Sequence, residues 1–363
     1  MAQLIFYFSL GDASISTVAT HVEDVLVKHF KELTPITTFN SEDSVVRIYI
    51  AEGASVINVR SFSDGLVSIT VDYSKKDREN KLNTYNTMLE IEKELQTKIE
   101  GLKWSRTFPS IKPDQSYRYY LTSDNRLTEY DVEEMVFDEV SPYQRVQIVR
   151  STTLGHILVL DTLQNLAESD VIYTHTLMQK GKENYKDKSI LILGGGDGAL
   201  LYELLKENPK EVIMLELDEV VMKACAKYMR SACGTVLDNY EGENYKIIVG
   251  DCIPSLEKYQ KEGKKFDYVF GDLTDVPISV DQSKELWDFI DVILNRSFEV
   301  LNPNGKFMTH VNGVGTPEAM VSYKKHLESL KFPVTVTTDE AYVPSFFETW
   351  SFCQVSRAGK TEQ

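Results

Sequence analysis

An α/β fold with a mostly parallel sheet is predicted by three observations. The chain carries an almost wholly aliphatic strand candidate, a glycine-rich turn directly after it, and strands alternating with helices from there onward. Ser189-Ile-Leu-Ile-Leu193 is aliphatic at four of its five positions, the pattern of a strand covered on both faces. Gly194-Gly-Gly-Asp-Gly198 then turns the chain so that the run Ala199–Glu207 can begin a helix. A strand, a glycine turn and a helix open a Rossmann-like sheet, whose ligand sits beyond the carboxyl ends of the strands. Further strands are expected at Glu211–Glu216, Lys246–Asp251, Phe266–Asp272, Gly305–Val311, Val334–Glu340 and Thr349–Val355. Helices fall between them, among them Glu219–Met229, Glu285–Leu301 and Pro317–Leu330. Seven strands in a mostly parallel sheet of the methyltransferase type follow, assigned to residues 170–363.

Residues 1–112 read as a separate α+β domain. Leu4–Leu10 is apolar but too short to span a bilayer and is taken as a strand. Val18, Val22, Val25, Leu26 and Phe30 recur at helical spacing. Strands are expected at Val45–Ile50, Ser55–Phe62 and Leu66–Tyr73, with Asp64-Gly65 as a hairpin turn, and a second amphipathic helix at Leu82–Leu102. Pro109 and Pro113, among polar residues, mark a linker. Residues 113–169 then show short strands at Tyr117–Leu121, Arg126–Tyr130, Glu134–Glu139, Arg145–Arg150 and His156–Leu160, an antiparallel block with turns at Asp124-Asn125 and Leu154-Gly155.

With a formal net charge of −16 over 363 residues, nucleic acid and anionic membranes are poor partners and cationic ligands good ones. The four cysteines (Cys225, Cys233, Cys252, Cys353) lack CxxC spacing and no secretory signal precedes them, so free thiols in a cytoplasmic protein are expected. The six histidines have no zinc spacing, and no metal is expected.

The chemistry lies at the strand ends. Asp197 puts a carboxylate in the glycine turn, which repels a pyrophosphate and argues against NAD and ATP. Glu216 lies 22 residues after Gly194, where a carboxylate accepts the hydroxyls of a ribose. Asp251 and Cys252 fall one strand further along, where an adenine would lie. Together these residues describe a nucleoside site of the S-adenosyl type, for which a methyltransferase is the default. Asp272, ending the next strand, brings a second carboxylate beside Asp197. A transferred methyl group needs neither, whereas a transferred group carrying an ammonium does. Taken singly, each of these acids also reads as an ordinary helix cap or loop residue.

The motifs Leu193-Gly-Gly-Gly-Asp-Gly198, Asp272-Leu-Thr-Asp-Val-Pro277, Ser141-Pro-Tyr-Gln144, Asn165-Leu-Ala-Glu-Ser-Asp170 and Val343-Pro-Ser345, with Glu348 and Trp350, resemble the spermidine/spermine synthase family of aminopropyltransferases. The similarity runs from about residue 115 to 355. Leu-Thr-Asp-Val-Pro and the long N-terminal domain resemble the spermine-forming members, whose N-terminal domain is decarboxylase-like and dimerising. The resemblance implies transfer of an aminopropyl group from decarboxylated S-adenosylmethionine, a co-substrate, to spermidine, giving spermine and methylthioadenosine without a cofactor.

It further implies Asp272 as general base and Asp197 as the holder of ammonium groups near the reaction centre. Gln144, Glu216, Asp251 and Cys252 would contact the donor, while Tyr173 and Glu348 would contact the polyamine. Asp197, Asp272 and Phe346 complete the implied spermidine-binding set; Phe346 stands where the family usually has a tyrosine, which puts one polyamine hydrogen bond in doubt. Trp350 reads as packing, and Asp161, Asp170 and Asp275 as surface or capping acids. The alternatives are an aminopropyltransferase making spermidine from putrescine or thermospermine from spermidine, an inactive oligomerising homologue, and a methyltransferase.

Overall fold

The computed structural model describes residues 2–8, 15–52, 55–72, 85–109, 111, 113–273 and 284–358. It divides into two compact units, Met1–Ser116 and Tyr117–Gln363.

The first unit is a six-stranded antiparallel sheet with two helices. Its elements are β1 (Ala2–Phe8), α1 (Ile15–His29), β2 (Thr34–Asn40), β3 (Ser44–Ala51), β4 (Ser55–Phe62), β5 (Leu66–Asp72), α2 (Tyr85–Lys98) and β6 (Leu102–Phe108). The strand order is β2-β3-β4-β5-β1-β6. Period-two alternation sends Ile57 and Val59 of β4 and Val67, Ile69 and Val71 of β5 to one face. There they pack with Val18, Val22, Val25 and Leu26 of α1 and with Met88, Ile91 and Leu95 of α2. The β4–β5 turn forms at the expected Asp64-Gly65, where Asp64 Oδ1 accepts from the Leu66 amide at 3.0 Å. β2 escapes sequence reading because it lacks apolar alternation and is exposed at six of seven positions; β6 alternates at Leu102, Trp104 and Phe108, but its first residue continues the apolar pattern of the preceding helix. Each is a strand because a neighbour's backbone groups pair with it. Leu102, expected to close α2, opens β6. The expected strand ends at Leu10 and Tyr73, and the helix start at Leu82, lie outside the described residues.

The second unit begins with a hairpin, β7 (Tyr119–Leu121) and β8 (Leu127–Glu129). A four-stranded antiparallel meander follows, made of β9 (Val132–Val140), β10 (Arg145–Ser151), β11 (Gly155–Leu160) and β12 (Leu163–Ala167). β12 falls on the Asn165–Asp170 motif, which carries no strand periodicity. α3 (Val171–Leu177) leads into β13 (Ser189–Gly194), α4 (Ala199–Leu205), β14 (Glu211–Glu216), α5 (Glu219–Tyr228), α6 (Arg230–Cys233) and β15 (Tyr245–Val249). After these come α7 (Cys252–Glu262), β16 (Phe266–Asp272), α8 (Lys284–Val300), β17 (Leu301–Gly313), α9 (Pro317–Glu328), β18 (Val334–Val343) and β19 (Glu348–Arg357).

The seven strands are ordered β15-β14-β13-β16-β17-β19-β18. The first five run parallel, and β19 pairs antiparallel with both β17 and β18. Every residue of β13 is buried, and alternate ones enter two different cores. Ile190 and Ile192 meet Leu200, Leu204 and Met222 on one face; Leu191 and Leu193 meet Leu256, Trp287 and Leu294 on the other. Strand order runs outward in both directions from the β13/β16 pair, so the crevice of an open α/β sheet lies at the carboxyl ends of these two strands.

Candidate active site

A cavity of about 650 Å³ occupies that crevice. Its floor is the glycine turn with the ends of β14, β15 and β16, and the antiparallel meander supplies Tyr143, Gln144, Leu158 and Leu160–Leu166. Tyr173, His310, Phe346 and Trp350 close another side.

The glycine turn is shaped by what it must approach. Gly194 has φ +82°, and a Cβ there would sit 2.0 Å from the Asp272 carbonyl oxygen. The Gly195 amide donates to that same carbonyl at 3.1 Å, which ties the turn to the end of β16. A Cβ on Gly196 would fall 2.8 Å from the Glu216 carboxylate. Close packing of turn, β14 and β16 therefore gathers Asp197, Glu216 and Asp272 at one place.

Asp197 accepts at 2.7 Å from the amide of Ala199, the first residue of α4, whose N-cap is Gly198. Burial, then the neighbouring Asp272 and Glu216, push its carboxyl well above the usual range. Glu216 accepts from the Asp218 amide at 2.8 Å, yet burial pushes it up to about 7. Acids held this way disfavour their own ionisation until a cation or hydroxyl donors arrive. Asp251 caps α7 through the Ile253 amide at 2.9 Å while lining the cavity. Cys252 is buried beside it, with its thiol pushed up to about 11 by burial, chiefly, and by Asp251. A thiol so held is a packing surface and not a nucleophile.

Gln144 lines the cavity and donates to Asp218 Oδ2 at 3.1 Å. Asp218 was not apparent from sequence. It is 2% exposed, accepts from Ser141 Oγ at 2.6 Å and caps α5 through the Val220 amide. The Ser141–Gln144 loop is thereby fastened to the end of β14, and the spacing Glu216-x-Asp218 is the only local sign of it.

Tyr173 is buried on α3, with its hydroxyl 3.3 Å from Asp272 Oδ1 and 2.7 Å from His310 Nδ1. His310, also unremarked in the sequence, lies 3.7 Å from Asp272 Oδ1. Phe346 meets Tyr173 edge-on at 6.1 Å and Trp350 at 4.7 Å. Trp350, expected as packing alone, lines the cavity.

Glu348 departs from the expectation of a polyamine contact. It does not line the cavity; its carboxylate accepts from the Ser123 amide at 2.9 Å and from Ser123 Oγ at 2.6 Å. The β7–β8 turn, remote in sequence, supplies that partner. Asp170, expected as a surface or capping acid, stands at the N-cap position of α3 but is 1% exposed, and its carboxylate clamps Ser345 through both the amide and the hydroxyl of that serine. Asp161 lies at the cavity edge and accepts from the Arg145 amide. Asp275 lies outside the described residues.

A nucleoside-type glycine turn facing a cluster of carboxylates defines the class, an α/β enzyme fold with a cation-accepting crevice. Residues 170–361 match the spermine/spermidine synthase domain and residues 117–168 the spermidine synthase tetramerisation domain. A polyamine aminopropyltransferase of Aeropyrum pernix is 27% identical, over 70% of this chain and 76% of the relative. A thermospermine synthase of Arabidopsis thaliana is 26% identical, over 69% and 73%. In fold, the chain resembles crystalline spermidine synthase from Thermotoga maritima, with a TM-score of 0.53 and 20% identity over 69% of this chain and 82% of the other. It also resembles a spermidine synthase in complex with the transition-state analogue AdoDATO, with a TM-score of 0.54 and 20% identity over 69% of this chain and 84% of that one. The chain belongs to the spermine/spermidine synthase family, the polyamine aminopropyltransferases. Among the described residues no helix is long and apolar enough to cross a membrane.

Proposed function

We propose that this chain transfers the aminopropyl group of decarboxylated S-adenosylmethionine to spermidine, forming spermine and methylthioadenosine. The observation that carries the transfer is the pair of carboxylates, Asp197 and Asp272, facing one cavity directly beside a nucleoside-type turn. Glu216 takes the donor ribose hydroxyls, Asp251 and Cys252 flank the adenine, and Gln144 contacts the nucleoside. Asp197 holds the donor's ammonium.

The acceptor's terminal amine has a pKa near that of lysine, about 10.4, so it arrives protonated and without a free electron pair. Asp272 accepts one proton from it as general base, with Tyr173 orienting the same nitrogen. The freed pair attacks the carbon attached to the donor sulfonium. As the new C–N bond forms, the C–S bond breaks and its electrons neutralise the sulfur. The leaving group is already good, so positioning two mutually repelling cations supplies much of the rate. Phe346 and Trp350 contribute apolar surface for the methylene chain.

Leu273, which opens the Leu-Thr-Asp-Val-Pro stretch, and the long N-terminal unit support spermidine as acceptor. A second reading has its own support: the relatives' names favour spermidine made from putrescine, or thermospermine made from spermidine. A product assay separates the readings, with purified protein, decarboxylated S-adenosylmethionine and either putrescine or spermidine, the products resolved by chromatography. Spermine from spermidine, with putrescine ignored, is expected. Spermidine from putrescine would overturn the acceptor, thermospermine would keep spermidine but overturn the nitrogen that attacks, and no product from either would overturn the activity. We also propose a cytoplasmic homodimer joined through residues 1–112; the tetramerisation domain matched by residues 117–168 favours a larger assembly as the alternative.

A further inference from the structure

His310 has no role in the reaction as written, yet it sits against the proposed base. It is 4% exposed, lies near the carboxyl end of β17 and lines the same cavity as Asp197 and Asp272. Tyr173 Oη stands between them, 2.7 Å from His310 Nδ1 and 3.3 Å from Asp272 Oδ1. A tyrosine hydroxyl has one hydrogen and two lone pairs, and both Asp272 and His310 lie within reach of that hydrogen. Aimed at Asp272, it occupies a lone pair of the base. Aimed at His310 Nδ1, it leaves both the tyrosine oxygen and the carboxylate as acceptors, side by side. An arriving ammonium brings donors only, and the second arrangement frees one more carboxylate lone pair for it and turns the tyrosine hydrogen out of its way. Distance favours the same choice, since 2.7 Å is the common O–H length and 3.3 Å lies beyond the usual range.

We infer that His310 is a positioning residue of aminopropyl transfer. As a neutral imidazole accepting at Nδ1, it turns the Tyr173 hydroxyl away from Asp272 and so prepares two acceptors for the incoming amine. Resting on the reading of the site given above, it adds a residue that acts on the acceptor through the Tyr173 hydroxyl. This role requires the imidazole hydrogen to sit on Nε2 and requires that the ring take no proton from the substrate.

The test is steady-state kinetics of His310→Phe, or of His310→Leu should the larger ring pack poorly, with His310→Asn as the rescue. Asparagine places an amide oxygen at the δ position that Nδ1 vacates. Loss of a hydrogen bond that serves a charged group predicts a roughly 10- to 100-fold rise in KM for the polyamine in His310→Phe. KM for decarboxylated S-adenosylmethionine should stay within about twofold, because no donor contact changes. His310→Asn should restore most of the loss. In a Tyr173→Phe background, His310→Phe should add nothing, because the group it orients is gone. An unchanged acceptor KM, an equal loss in His310→Asn, or a full additional loss in the Tyr173→Phe background would each overturn the inference. Absence of transfer by the unsubstituted protein would instead refute the aminopropyl reading itself.

Discussion

Donor binding should release protons, in an amount set by Glu216 and Asp197. In the ligand-free protein, burial raises Glu216 from its ordinary 4.5 to about 7, which amounts to about 3 kcal/mol held against ionisation. The sign follows from linkage. Between pH 4.5 and about 7 the folded state binds more protons than the unfolded chain, so this residue makes stability fall as pH rises through that window. A ribose offering two hydroxyl donors favours the ionised carboxylate and reverses the preference. At pH 7 the free carboxyl is about half protonated, so neutral methylthioadenosine should release about half a proton on binding. Release should climb toward one proton near pH 6 and vanish near pH 9, and affinity should fall about tenfold per unit below pH 7. On the proposed function the cationic donor would also meet Asp197, raised by burial and by Asp272, and should release more than methylthioadenosine does. Titration calorimetry in buffers of different ionisation enthalpy reads these numbers directly. Glu216→Gln should abolish the proton released with methylthioadenosine. An apparent enthalpy of methylthioadenosine binding that is identical in all buffers from pH 6 to 8 would refute the reasoning.

Three further outcomes are expected. Asp272→Asn should lower kcat by two orders of magnitude or more, roughly the contribution of a positioned general base, with an unchanged thermal midpoint; near-full activity would remove Asp272 from that role. Gly194→Ala should destabilise the protein by several kcal/mol or prevent folding, because its Cβ would fall 2.0 Å from the Asp272 carbonyl at a positive φ; a variant melting at the parental temperature contradicts the turn geometry. Removing residues 1–112 should convert a dimer to a monomer in light scattering, and a truncated protein keeping its oligomeric mass would place the interface elsewhere.

Much of this protein was legible in its sequence because the information is local. A strand buried on both faces must be apolar at every position, as Ile190–Leu193 is, and a turn that touches two neighbouring strands must be glycine at Gly194 and Gly196. Acids at strand ends reach a common crevice once the sheet is parallel, which is why Asp197, Glu216, Asp251 and Asp272 were found together. Sequence also misled: the resemblance placed Glu348 on the polyamine and local pattern made Asp170 a surface or capping acid, but their carboxylates are taken by Ser123 and Ser345.

What the tertiary structure alone decided is the pairing of groups far apart along the chain. Tyr173 and His310 stand 137 positions apart, and Ser123 and Glu348 stand 225 apart. Nothing in the residues around His310 distinguishes a satisfied core histidine from one that aims a hydroxyl. Edge strands such as β2 and β12 were hidden for the same reason, since a strand with little apolar alternation is held by its neighbour's backbone. Periodicity records which side of an element is buried; it carries no record of which distant side chain will be waiting there.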